Sequence, residues 1–154
     1  MKKKLLIVAH APSENTRRLV EALLKGAEHP EITGVASSWI PPLEAQPDDL
    51  LTADGIILGT PENLGYMSGA LKDFFDRCYY PVLEEKQGLP CALMIRAGLD
   101  GTGTRRALES ILTGLRWNCV QEPLILKGAW QNEFIKQAED LGLSLAAGLE
   151  AGIY

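Results

Sequence analysis

Histidine and cysteine are scarce in this sequence, with two of the first and three of the second among 154 residues. Cys78, Cys91 and Cys119 are odd in number and lack C-x-x-C spacing, and His10 and His29 stand apart. No zinc site and no disulfide framework is expected, and the free thiols fit a reducing compartment. Basic residues are outnumbered 15 to 20, and beyond Lys2, Lys3 and Lys4 they form no stripe, so the electrostatic footprint of a nucleic-acid partner is missing. Long apolar runs are missing too. The LLIVA segment after the lysines is too short for the core of a secretion signal and far too short to span a bilayer, so the expected protein is cytoplasmic, with no membrane span. No repeat, linker or low-complexity stretch divides the chain. One domain over 1–154 is expected, and a chain of this length buries roughly 70% of its unfolded surface without a covalent staple.

What the sequence does contain is alternation. Residues 4–9 (KLLIVA), 55–59 (GIILG), 92–97 (ALMIRA) and 123–127 (PLILK) are short apolar runs, the pattern of strands buried on both faces. A weaker strand is expected over 32–40, before the break at Pro41 and Pro42. Between these runs the apolar positions recur at helical spacing over 14–27, about 69–80, about 104–116 and about 132–150. Five strands with helical crossovers give a doubly wound α/β fold, its parallel sheet in the order 2-1-3-4-5. Ligands of such sheets bind beyond the carboxyl ends of the strands where the winding reverses, here between the first and third strands.

Three loops lie at that edge. The first, HAPSENTRR at 10–18, sets Ser13, Asn15 and Thr16 at a helix start, where unpaired N–H groups favour an anion; simple capping explains Ser13 and Asn15 equally well. Arg17 and Arg18 oppose the helix dipole unless an anion or an acidic neighbour compensates. The second, GTPENLGYMSG at 59–69, offers Gly65 for an unusual backbone, Ser68 as a cap and Tyr66 as a flat wall for a planar ligand. The third, AGLDGTGT at 97–104, is a glycine-rich turn whose N–H groups either close a tight turn, with Thr102 or Thr104 as cap, or face a ligand.

Together the loops resemble the flavodoxin superfamily, and more closely its small flavodoxin-like and NAD(P)H-dependent FMN reductase branch. The most specific segment is GTPENLGYMSGALKDFFDR at 59–77. The resemblance implies a flavodoxin-like fold and FMN as cofactor. It places the phosphate at His10, Pro12, Ser13, Asn15, Thr16 and Arg17. It places the ring against Pro61, Glu62, Asn63, Leu64, Gly65 and Tyr66, and against Ala97, Gly98, Asp100 and Gly101. An acidic Glu62 at the ring would lower the flavin's potential; turned to solvent it would not. The first loop departs from the TxTGxT of flavodoxins and is similar to the serine and asparagine version of reductases.

The implied function is that of an NAD(P)H-dependent reductase passing electrons to a quinone, flavin or other small acceptor, working as a homodimer. No Ser/His/Asp set or carboxylate pair is present, so no catalytic side chain is assigned. Alternatives are a flavodoxin-type carrier exchanging electrons with a redox protein, and a signalling or interaction module on the same fold. A receiver module needs acidic residues at the ends of strands one and three, where this chain has His10, Ala11, Thr60 and Pro61.

Overall fold

A computed structural model describes residues 1–154. The first strand, β1 (Lys3–Ala9), leads into α1 (Glu14–Ala27), and β2 (Val35–Ile40) is followed by a short α2 (Pro47–Leu51). Then come β3 (Gly55–Pro61), α3 (Gly69–Val82), β4 (Pro90–Ala97), α4 (Thr102–Leu115), β5 (Asn118–Cys119), β6 (Leu124–Lys127) and α5 (Glu133–Ala151). Every strand pairing is parallel, in the order β2-β1-β3-β4-β5, with β6 also on β4. The expected α/β fold and order are those found.

The sheet is apolar on both faces because each face carries a helical layer. Along β1, Leu6 and Val8 pack with Phe74 and Phe75 of α3 and Leu108 and Leu112 of α4. Leu5, Ile7 and Ala9 face the opposite layer, with Leu19 and Leu23 of α1 and Leu145 and Leu149 of α5. This period-two division of an unbroken apolar run is what burial on both sides requires.

Three details differ from the sequence reading, each for a local reason. The fifth position of the sheet is filled by two successive pieces: Cys91 of β4 pairs with Cys119 of β5, and Met94 through Ala97 pair with β6. The strand expected at 123–127 is therefore β6, and β5, two residues long, is too short to leave a periodic trace. The second strand starts at Val35 rather than 32, because Glu150 of α5 accepts the N–H groups of Thr33 and Gly34 and holds them off the ladder. Beyond the break at Pro41 and Pro42, where no element was expected, lies α2, a single turn with Pro47 in its first turn and Asp49 accepting the Gln46 N–H.

Candidate functional site

The three loops converge at the carboxyl edge because the β1–β3 and β3–β4 ladders deliver them side by side; the ladder even continues past β1, with the His10 N–H donating to Gly59 O at 3.0 Å. In the first loop Ser13 is the N-cap of α1. Its Oγ accepts the Thr16 N–H at 3.1 Å, while Thr16 Oγ1 accepts the Ser13 N–H at 3.0 Å and lies 2.8 Å from Ser13 Oγ. Thr16 Oγ1 also donates to Ser13 O. This reciprocal box consumes both hydroxyls, so the capping role is realised and the donors left for an anion are others. They are the first-turn N–H groups of Glu14 and Asn15, which have no partner, and the Asn15 amide. Arg18 donates to Asn15 Oδ1 at 3.3 Å, leaving the Asn15 NH₂ free to donate. Arg17 is exposed beside them. His10 is half-buried, its Nδ1 enclosed without a partner, and burial holds its pKa below the ordinary histidine value.

The second loop is a two-residue hairpin. Asn63 and Tyr66 exchange both backbone hydrogen bonds, at 2.8 and 2.9 Å, and the two residues between them both have positive φ, Leu64 at 53° and Gly65 at 73°. This is the turn in which glycine or asparagine is at ease and leucine is not. The Leu64 side chain gains nothing in return, since it is fully exposed. Replacing Leu64 with asparagine is expected to raise stability by about 0.5 to 1 kcal/mol. A urea titration of the Leu64→Asn protein checks this; an unchanged midpoint would show that the turn carries no strain.

The third loop is fastened to the second in two places. The Glu62 carboxylate accepts the N–H groups of Leu99 and Gly101, each at 2.9 Å. Gly103 abuts Gly65, where a β-carbon would stand 2.2 Å from Gly65 O. Glu62 thus neither turns to solvent nor stands free to face a ligand: it is a clamp between loops. The cap of α4 is also not a threonine. Gly101, at φ 71°, holds that position without a side-chain bond, while Thr104 is fully buried with its hydroxyl unpartnered. Asp100 accepts the Thr102 N–H, and that bond holds its carboxyl below the usual range.

Next to the site lies an aromatic and arginine cluster that the sequence reading did not assemble. Arg96, at the end of β4, donates to Ala97 O, Leu126 O and Gly128 O, with its guanidinium 5.0 Å from the Phe134 ring centre. Arg18 stands 5.3 Å from the Trp130 ring centre, and Trp130 meets Phe134 edge-on. The one signal in the sequence was a charge closing an otherwise apolar strand. Trp39 ties β2 to the base of the first loop by donating to Ala9 O at 3.0 Å.

An open groove of about 420 Å³ flanks the third loop on its outer side, lined by Asp100, Thr102, Arg105, Arg106, Glu109, Ile125 and Lys127. Arg105 is engaged there by Glu109 at 3.2 Å and Glu122 at 3.6 Å, so Arg106 and Lys127 are its uncommitted cations. No helix is long and apolar enough to cross a membrane.

The donor set fits a flavin mononucleotide in kind. Unpaired N–H groups and an amide at the start of α1 suit a phosphate, and the exposed Leu64–Tyr66 hairpin suits a planar ring. Comparison with known proteins agrees. A flavodoxin of Aquifex aeolicus (strain VF5) is 34% identical over 113 residues, which cover 73% of this chain and 60% of the relative. The quinone-oxidoreductase QR2 of Triphysaria versicolor is 29% identical over 134 residues, 75% of this chain and 65% of the relative. The chain thus spans less than two thirds of the length of both relatives. Among solved structures, a flavodoxin from the domain Archaea superposes with a TM-score of 0.80 at 19% identity, over 96% of this chain and 99% of that one. Residues 3–131 match the model for the NADPH-dependent FMN reductases, and the chain belongs to that family, a branch of the flavodoxin superfamily whose cofactor is FMN.

Proposed function

We propose that this chain holds FMN across its three loops and works as an NAD(P)H-dependent reductase for a quinone, a flavin or another small acceptor. When bound, FMN supplies the hydride-accepting and electron-donating chemistry. The chain's own residues bind and orient. Glu14 and Asn15 offer backbone N–H groups to the phosphate, with the Asn15 amide and Arg17 beside them; Ser13 and Thr16 hold that first turn in shape. His10 and Pro12 close its inner side. Pro61, Asn63, Leu64, Gly65 and Tyr66 form the wall for the ring. Ala97, Gly98, Asp100 and Gly101 line the pyrimidine side, with Glu62 setting their backbone. Because the Leu99 and Gly101 N–H groups are already taken, the remaining donors of that loop carry its polar contacts.

The observation that carries this reading is the set of unpaired donors on the first turn of α1, beside a strained hairpin, in a chain of this family. Arg106 and Lys127 favour a dinucleotide bearing an extra phosphate, so NADPH is the better donor in this reading. The exposed Leu64, Tyr66 and Leu99 at the rim of the loops support a homodimer in which each copy covers the other's site. Few cysteines, all unbridged, support a cytoplasmic location. A second reading, a carrier that exchanges electrons with a redox protein, is favoured by the similarity to a flavodoxin.

Titrating the purified protein with FMN, then adding NADPH and NADH anaerobically in turn, tests both. The expected result is saturable binding with prompt loss of the oxidised flavin band on NADPH. Binding without bleaching by either nicotinamide would favour the carrier, and absence of binding would overturn both readings.

A further inference from the structure

The three cysteines are unequal. Cys78 is buried in α3, whereas Cys91 and Cys119 are register partners on adjacent parallel strands, with their sulfurs 3.3 Å apart. Neighbouring strands lie about 4.8 Å apart, within the Cα separation that a disulfide spans. From 3.3 Å, the sulfurs need to close by only about 1.3 Å to bond. The partner that must move, Cys119, sits in a two-residue strand at the sheet edge. Exposure divides the pair: Cys91 is wholly buried, while Cys119 is open to solvent.

We infer that Cys91 and Cys119 form a reversible dithiol–disulfide site, oxidised by a peroxide, with Cys119 as the thiol oxidised first and Cys91 as the resolving thiol. The charge distribution supports these roles. The Cys91 S–H donates to Cys119 and stabilises its thiolate, bringing Cys119 down to about 7, while the same bond and burial push Cys91 up. The exposed sulfur is therefore the nucleophile at neutral pH. In the first step the Cys119 thiolate attacks one peroxide oxygen; the O–O bond breaks, and Cys119 becomes a sulfenic acid as hydroxide or alkoxide leaves. In the second, the Cys91 sulfur attacks the Cys119 sulfur and displaces the hydroxyl, which leaves as water with the Cys91 proton. Two thiols lose two electrons and the peroxide gains them.

This site is separate from the flavin loops. Cys91 is the second residue of β4 and the third loop begins after Ala97, six residues and about 20 Å further along the strand. The chemistry needs no cofactor.

The test treats the intact protein with a small excess of hydrogen peroxide, with and without FMN, then alkylates the remaining thiols and maps the peptides by mass spectrometry. The expected product lacks two hydrogens, contains a Cys91–Cys119 linkage within one chain, retains an alkylated Cys78 and reverts with dithiothreitol. Cys91→Ser should halt at a Cys119 sulfenic acid that dimedone captures. Cys119→Ser, a change at an exposed position that leaves the core intact, should make Cys91 at least ten times slower to oxidise than Cys119 is in the parent. Oxidation of Cys78 as fast as Cys119, linkage only between chains, or progression of Cys119 to the sulfinic acid without linkage would overturn the proposal.

Discussion

Replacing Gly142 with alanine lowers the stability of the fold by about 2 kcal/mol, opposite in sign to the change that helix propensity alone would give. Gly142 lies inside α5, where alanine is worth roughly 1 kcal/mol more than glycine. The space forbids it. A β-carbon at Gly142 would stand 2.0 Å from Leu23 O of α1, and one at Gly26 of α1 would stand 1.9 Å from Glu139 O of α5. The two helices cross backbone to backbone, Gly142 receiving the carbonyl of Leu23 and Gly26 that of Glu139. A contacting carbon needs about 3.5 Å, so α1 and α5 must part by more than about 1 Å along their line of contact, and a gap of that size forfeits about half or more of the dispersion attraction there. The side chains that lose contact are large: Leu19, Leu23, Leu141 and Leu145 belong to this layer. Gly142→Val should cost more still, about 3 kcal/mol or beyond. Urea denaturation of both variants measures this, with Gly69→Ala as the control, since nothing lies within 4 Å of a β-carbon there. A Gly142→Ala protein as stable as its parent would mean that the helices slide apart without penalty.

This crossing also bears on the site. The first turn of α1 presents the donors proposed to take the phosphate, and its position over β1 is set by how closely α5 approaches it. The sequence does not show the crossing, because a glycine within a helical stretch reads as a helix end or a weak point. Gly26 and Gly142 lie 116 positions apart, and the crossing that sets each against the other helix's backbone is a product of tertiary packing.

The strands were legible because burial on both faces leaves unbroken apolar runs, and the order of the sheet follows from chirality once the strands alternate with helices. Short elements were not. A single turn such as α2 has no period to detect, and β5 is defined by its pairing with β4 rather than by any pattern of its own. The three loops were placed correctly by topology, but the work of their residues was not readable. Ser13 and Thr16 carry the right chemistry for an anion and spend it on each other. Thr104 has the composition of a cap and is instead enclosed. Arg96 reads as no more than the polar close of a buried strand, and three carbonyls and an aromatic ring hold it in place. In each case the surroundings that decide come from the same turn or from distant elements, and residue type alone does not choose between them.

Replacing Glu62 with alanine should weaken FMN binding about 10- to 100-fold and lower the stability of the free protein by about 1 to 3 kcal/mol. The carboxylate is half-exposed and accepts two backbone N–H groups from the third loop, at 2.9 Å each. Its own N–H donates to Arg96 O, so its backbone is anchored to β4 and the side chain reaches out from a fixed base. Hydrogen bonds to a charged acceptor contribute about 1.5 to 3 kcal/mol each. At Leu99, which is exposed, the released N–H turns to water, whereas at buried Gly101 the N–H loses its acceptor and the loop loses a fixed point. In the reading proposed above, that ordering is completed before the cofactor arrives, and the alanine variant must supply it from binding energy. Glu62→Gln should fall between the two, since its amide keeps one acceptor but sets a donor against the second N–H. Quenching of FMN fluorescence gives the dissociation constants, and urea denaturation of the free protein gives the control. Affinity that rises in Glu62→Ala would carry the opposite meaning: the Leu99 and Gly101 N–H groups would then be donors that the ring wants and the carboxylate withholds. In that event Glu62 would compete with the flavin rather than prepare the loop for it.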